Sequence, residues 1–331
     1  MTLKKLCPIL LILLIATPDL SFAQEKKARK MIIVGVIQSL SHPNFNTDAK
    51  GFEKALTDAG FKEGIHLTYQ RQNAEGNGAN AQAIVQKFLD TKVDLIHSIA
   101  SLASQAAVKT INHTPIVFSS VTDPVDEGLV PKTSSPGTKS GTNVTGVTDR
   151  WPVQQQFEMY SKFFPKAKKW GTLYNAGDPK SLIHIKEMRD TAKRLGVELI
   201  EAMISSKAET KQAAQSLAGK IQALNITFDD TALSSFEAIV KVCNEKKIPL
   251  FAGGLDLVPN GAIAAYGSTY FGIGYSAGKK AARILLGEKP GNIPWGPGGK
   301  LSLVVNEKAA RAQGAIIPPG LLKRADKIIQ E

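Results

Sequence analysis

The sequence predicts an α/β protein built as two doubly wound, parallel-sheet lobes joined by a multi-strand hinge. Three observations carry that expectation. Short apolar, β-branched runs alternate with amphipathic stretches of helical period. The alternation occurs twice, either side of a turn-rich segment, and a further β-α-β stretch follows near the C-terminal end. Such alternation makes parallel sheets covered by helices on both faces, with right-handed crossovers set by strand twist.

Residues 31–37 form the first strand candidate, apolar and rich in branched side chains. Over 46–59, Ala49, Phe52, Leu56 and Ala59 fall on one helical face, and Gly60 supplies the stop. Then come a strand at 65–70, a helix at 79–89, a strand at 93–99, a helix at 102–111 and a strand at 115–118. The second series reads as strand 170–174, helix 180–195 closed by Gly196, strand 197–203, helix 208–219, strand 223–228, helix 233–244 and strand 248–251.

Between the series, residues 131–146 hold Ser134-Ser135-Pro136-Gly137 and Ser140-Gly141-Thr142-Asn143, both strong turn signals. A strand candidate at 143–148 leads on toward the second lobe. Residues 262–266, 271–286 and 301–305 then read as strand, long helix and strand, more than the second series needs. The economical arrangement has the chain cross back and return. Lobe I is then 31–146 plus about 268–295, and lobe II is 147–267 plus about 296–331. Lobes joined by several strands can close on a ligand.

The first 23 residues read as a cleaved signal peptide: Lys4 and Lys5, an apolar run at 7–16, Pro18 and Asp19, then Ser21-Phe22-Ala23. The run is about 10 residues, against roughly 20 for a bilayer span. Residues 24–30 read as a flexible N-terminus, and the mature chain as a soluble periplasmic protein. Cys7 precedes the apolar run, so a lipid anchor is not expected; Cys243 is left alone, which excludes an intramolecular disulfide. The whole chain has 41 basic and 29 acidic residues, a net +12; losing Lys4, Lys5 and Asp19 leaves 39 and 28, a net +11. The lysines are dispersed, which favours a basic solvated surface over a nucleic-acid site.

No motif calls for a cofactor or a metal. Gly272-x-Gly274-x-x-x-Gly278 opens a helix after a strand but lacks the following unit and acid of a dinucleotide site. Ile273 and Lys280 break a phosphate-loop pattern around Gly278-Lys279. The five histidines have no metal spacing, and no Gly-x-Ser-x-Gly elbow is present. No enzyme is expected.

Ligands of open α/β sheets bind beyond the carboxyl ends of the strands. That rule selects Gln38, Ser39, His42 and Pro43; Ala100, Ser101, Leu102, Ala103 and Ser104; Val121, Thr122 and Asp123; Tyr174 and Asn175; Asp229, Asp230 and Thr231; and Gly253, Gly254 and Asp256. The turn at Ser101–Ser104 opens a helix and suits an anion, or Ser101 simply caps the helix. Asp229 and Asp230 suit an ammonium or hydroxyls, or one of them caps the next helix. Tyr270 and Phe271 supply either core packing or an aromatic wall.

The chain resembles, over about 280 residues, the substrate-binding proteins of bacterial ABC transporters in the tryptophan/tyrosine group. The resemblance rests on segments in order: Val34-Gly35-Val36-Ile37-Gln38 with His42-Pro43, Gly51-Phe52, Val93-Asp94-Leu95-Ile96, Ile116-Val117-Phe118 leading to Val121-Thr122-Asp123-Pro124-Val125, Asn143-Val144-Thr145-Gly146-Val147, Gln215-Ser216-Leu217-Ala218 and Gly287-Glu288-Lys289-Pro290. It implies a type I periplasmic-binding fold, a ligand in the cleft between the lobes, and a membrane permease with its ATPase as partners; the ligand is expected to be amino-acid-like or another small carboxylate, and the protein a monomer. It also implies that the Ser101 turn holds an amino acid's carboxylate. The chain departs from the family at Gly253-Gly254, where relatives carry an acid; an ammonium partner is therefore missing or moved to Asp256. A periplasmic sensor, or a secreted α/β enzyme using Asp229 and Asp230, are the alternatives.

Overall fold

The computed structural model describes residues 31–330. The predicted signal peptide and the N-terminal residues 24–30 lie outside the described residues. The elements run β1 (Ile32–Gln38), α1 (Pro43–Asp58), β2 (Leu67–Asn73), α2 (Gly78–Asp90), β3 (Leu95–Ile99), α3 (Ser101–Thr110), β4 (Ile116–Val121) and β5 (Val144–Thr148). They continue with α4 (Val153–Tyr160), β6 (Lys169–Asn175), α5 (Pro179–Leu195), β7 (Glu198–Ile204), α6 (Lys207–Leu217), β8 (Ala223–Ile226), α7 (Asp230–Leu233), α8 (Phe236–Lys246) and β9 (Leu250–Ala252). The last are β10 (Ala264–Gly267), α9 (Tyr270–Leu285), β11 (Gly296–Pro297), β12 (Ser302–Asn306), α10 (Glu307–Ala312), α11 (Pro319–Arg324) and β13 (Lys327–Ile329).

Two sheets result. The first has the order β11-β5-β4-β3-β1-β2 and is parallel throughout. The second has the order β13-β12-β10-β9-β8-β6-β7 and is parallel except where β10 meets β12. Strands β3 and β4 are buried along their whole length, as parallel strands covered on both faces must be. The chain passes between the sheets three times, at 149–152, 268–269 and 298–301. β5 stays in the first sheet and the crossing follows it; β11 adds to the same sheet beside β5 before the last crossing. Ser268 Oγ donates to Gly298 O at 3.0 Å and ties the second crossing to the third.

Helices α1 and α9 pack with almost no side chain between their backbones. A Cβ at Gly274 would lie 1.9 Å from Asp48 O, one at Gly278 2.4 Å from Phe52 O, and one at Gly51 2.2 Å from Phe271 O. The glycine pattern of α9 is therefore a packing stripe. Beneath it lies a buried polar group. The Asp48 carboxylate accepts from the hydroxyls of Ser119 and Ser120, and Ser119 Oγ meets His97 Nε2 at 2.8 Å. His97 stacks on Phe52 at 3.8 Å. Burial pushes the Asp48 pKa up to about 7 and the His97 pKa down to about 3. Cys243 is buried in lobe II, and burial pushes its thiol up to about 12.

Candidate functional site

A cleft of about 990 Å³ opens where the two lobes meet the crossings. Lobe I contributes Asn44 and Thr47 of α1, Thr122 and Asp123 after β4, and Ser134–Pro136 of the long loop. Lobe II contributes His184 and Glu187 of α5, Phe228 after β8, and Gly253–Asp256 after β9. The crossings add Asp149, Arg150, Trp151, Ser268, Thr269 and Gly298–Gly299, and Tyr270 opens α9.

The aromatic part of this lining begins at Trp151, within the first crossing. Its ring meets Phe228 edge-on at 5.5 Å, and Phe228 meets His184 at 5.9 Å. The indole lies against the loop after β9, where a side chain would otherwise stand. A Cβ at Gly253 would fall 1.9 Å from Trp151 Cε3, and one at Gly254 3.2 Å from Cζ2. The backbone there cannot easily yield. Gly253 N donates to Ile226 O at 3.1 Å, and Gln156 Nε2 donates to Gly253 O and to Tyr266 O, each at 2.9 Å. Gly253 thus makes room for the indole, and Gly254 for the Asp256 carboxylate, 2.6 Å from where its Cβ would stand, as well as the indole edge.

The charged part is mostly acidic. Thr122 Oγ1 donates to Asp149 at 2.9 Å, and Asp123 accepts from the N–H groups of Val125 and Asp126. Arg150 is paired with Glu187 at 2.6 Å. Burial, with the Arg150 charge, pushes the His184 pKa down to about 4, so this imidazole is neutral at pH 7. Burial holds the Tyr270 phenol above its ordinary value; the charges of Asp149 and Asp256 push the same way, and the Asn44 side chain opposes them. Asp149 from a crossing and Asp256 from lobe II therefore both act on the Tyr270 hydroxyl.

An inter-lobe cleft on two parallel sheets joined by three crossings matches known proteins along the chain. Residues 33–329 match the family model described as ABC transporter substrate binding protein. The chain belongs to the ABC transporter substrate-binding protein family. The "Tyrosine-binding protein" of Clostridioides difficile is 36% identical over 289 residues, covering 87% of this chain and 83% of the relative. A ligand-free, open structure of a substrate binding protein with adhesive properties from Clostridium difficile aligns with TM-score 0.83 and 32% identity, over 91% of this chain and 100% of that one. The ABC domain from Streptococcus pneumonia in complex with L-Trp aligns with TM-score 0.67 and 27% identity, over 90% of this chain and 100% of that one. The fold is the type I periplasmic-binding fold. The family binds solutes and is not enzymatic; delivery to a permease is its general role.

In this substrate-binding protein, five residues expected at strand ends line the cleft: Thr122, Asp123, Gly253, Gly254 and Asp256. The others serve the lobes from within or stand beside the cleft. Ser39 is buried; its hydroxyl donates to Ile99 O and accepts from Ala103 N, each at 3.0 Å. Ser101 does not cap α3. Ala100 holds the cap position at φ +68°, ψ 171°, and Ser39 satisfies the helix end from another loop. Ser104 donates to Ser98 Oγ at 2.9 Å, Leu102 packs on the lobe I core, and Val121 is buried. His42 caps α1, with Pro43 as its first residue, and Gln38 lines a separate depression of about 220 Å³ beside Arg71.

In lobe II, Tyr174 is buried and its hydroxyl accepts from Arg189 at 3.1 Å. Asn175 Nδ2 donates to Thr231 Oγ1 at 3.0 Å, and Asp230 is exposed in the first turn of α7. Asp229 is fully buried, with its carboxylate used internally. It accepts from Ala232 N at 2.7 Å, from Asn175 N at 2.6 Å and from the Ser181 hydroxyl. Of the two readings open for Asp229, the structure carries the cap. Tyr270 both packs on the lobe I core and lines the cleft, whereas Phe271 is exposed. Trp151, Phe228, Asp149 and Arg150 were not among the expected residues. The signal available for Trp151 was its place beside Pro152 within the first crossing, matched by the side-chain-free Gly253-Gly254.

Proposed function

We propose that this chain is exported to the periplasm, captures an aromatic amino acid of the tyrosine or tryptophan kind, and presents it as a monomer to an ABC permease and its ATPase. The observation that carries this reading is the Trp151–Phe228 aromatic wall, set in a cleft that also holds carboxylates from both lobes. Burying an aromatic side chain removes roughly 150–250 Å² from water. At about 25 cal/mol per Å² that is about 4–6 kcal/mol, half or more of what micromolar affinity requires. The named relatives bind tyrosine and tryptophan, which supports the same class here.

The Ser101 turn and Asp230–Thr231 take part on closure. They stand at the ends of β3 and β8, next to β4 and β9, whose following loops line the cleft. The better fit to the open, ligand-free relative than to the L-Trp complex supports an open starting state. In this reading the ammonium meets Asp256 or Asp149, which compensates for the acid missing at Gly253-Gly254. The test is mass spectrometry of the solute that co-purifies, followed by a thermal-shift panel. Tyrosine or tryptophan should raise the melting temperature. A sugar or nucleoside doing so, with no response to either amino acid, would overturn the reading.

A further inference from the structure

The charge of the cleft runs against the charge of the chain. The sequence carries a net +12, yet the cleft is lined by Asp123, Asp126, Asp149, Asp256 and Glu187. Among the described residues no lysine lines it, and the one guanidinium there, Arg150, is held by Glu187. His184 adds no positive charge at pH 7. It is 3% exposed, lines the same wall behind Phe228, and its Nδ1 has no hydrogen-bond partner. Among the described residues, the lining therefore offers a ligand's carboxylate no unpaired cationic side chain. It offers an ammonium several carboxylates, Asp149 and Asp256 among them, and the rings of Trp151 and Tyr270. Aromatic faces attract ammonium groups, the more so once water is excluded.

The loop after β9 sharpens this contrast. The indole fills the space a side chain at Gly253 would need, and a Cβ at Gly254 would lie 2.6 Å from Asp256 Oδ1 and 3.2 Å from Trp151 Cζ2, which places that carboxylate beside the indole. The first acid of the loop is Asp256, exposed and close enough to act on the Tyr270 hydroxyl together with Asp149. Asp149 is itself fixed by Thr122.

We propose that the cleft anchors its ligand by a primary ammonium seated against Trp151 between Asp149 and Asp256, and that the ligand's carboxylate is dispensable, so that arylethylamines bind alongside aromatic amino acids. This inference rests on the aromatic-solute reading above and goes beyond it in naming the group that is recognised. An anchor of this kind also predicts affinity that falls with ionic strength, because the cleft charges are partly screened.

The experiment is calorimetric titration of the solute-free chain at pH 7 with two matched sets. These are L-tyrosine, tyramine and 3-(4-hydroxyphenyl)propionate, and L-tryptophan, tryptamine and indole-3-propionate. In at least one set the amine should bind within about tenfold of the amino acid, and the deaminated acid at least about 100-fold more weakly, since the lost anchor combines charge pairing and the ring contact. Trp151→Leu should weaken the amine about tenfold or more. Should that variant fail to fold, Asp256→Asn on its exposed turn should weaken the amine and leave the deaminated acid unchanged or improved. Binding by the amino acids with failure of both amines shows that the carboxylate is required and overturns this inference alone. Binding by the acids but not the amines does the same. No binding by any of the six overturns the aromatic-solute reading and this inference with it.

Discussion

Replacing Gly253 by alanine adds a single carbon at the point where the two lobes and the first crossing meet. That carbon would lie 1.9 Å from Trp151 Cε3 and 2.3 Å from Cζ3, so something must move by more than 1 Å. The Gly253 backbone is held on both sides, at Ile226 O and at Gln156, which leaves the indole to move. If the ring stays, overpacking costs about 1–3 kcal/mol of stability. If it swings away, the contact with Phe228, worth about 0.5–1.5 kcal/mol, is lost and the cleft wall changes shape. Either way affinity for the aromatic ligand should fall about tenfold, or about 1.4 kcal/mol. Calorimetry on Gly253→Ala, Trp151→Ala and the double variant measures the coupling directly. Once the indole is gone, adding the methyl should have little effect. Additive losses across the cycle would refute the claim that the glycine exists to seat Trp151.

Three further outcomes are expected. Asp229→Ala should lower unfolding stability by about 2–3 kcal/mol in denaturant melts, because it orphans a helix-end N–H and Asn175 N–H and leaves the Ser181 hydroxyl only its longer bond to Phe228 O; unchanged stability with lost binding would return Asp229 to the cleft. Ala100→Gly should stabilise the protein by about 1–2 kcal/mol, since φ +68°, ψ 171° is a region that favours glycine; a lower melting temperature would contradict it. The third concerns pH. Asp48 titrates at about 7 in the fold against an ordinary 3.8, so its stabilising contribution is full at low pH and is lost as pH rises through 7. His97 titrates at about 3 and His184 at about 4 against an ordinary 6.5, so their contribution is lost as pH falls below 6.5. Asp48→Asn removes only the first, and melting at pH 5 relative to pH 8 should drop further than in the unmodified chain; an unchanged difference would refute the buried-carboxyl assignment.

The two-lobed architecture was legible because each lobe switches between short apolar, β-branched runs and helical faces, and because β10, α9 and β12 exceeded what one lobe could use. The site was legible only in part. Thr122, Asp123, Gly253, Gly254 and Asp256 follow from the strand-end rule. Ser101 and Asp229 were harder because their roles depend on distant partners. The end of α3 is satisfied by Ser39, more than sixty positions earlier in the chain, and Asp229 is consumed by Asn175 and Ser181, about fifty positions away. Local capping patterns carry no trace of such partners. The same holds for the α9 glycines, whose purpose is the backbone of α1, and for Gly253, whose missing side chain is replaced in space by Trp151, a hundred residues upstream.

Those placements divide the cleft into a hinge-side half that is already assembled and outer turns on each lobe that closure would add. Small-angle scattering on the solute-free chain, titrated with L-tyrosine or L-tryptophan, tests capture by closure most directly. At saturation the radius of gyration should fall, and Trp151→Leu should abolish the fall at the same ligand concentration. An unchanged radius in the unmodified chain at calorimetrically verified saturation would contradict capture between the lobes.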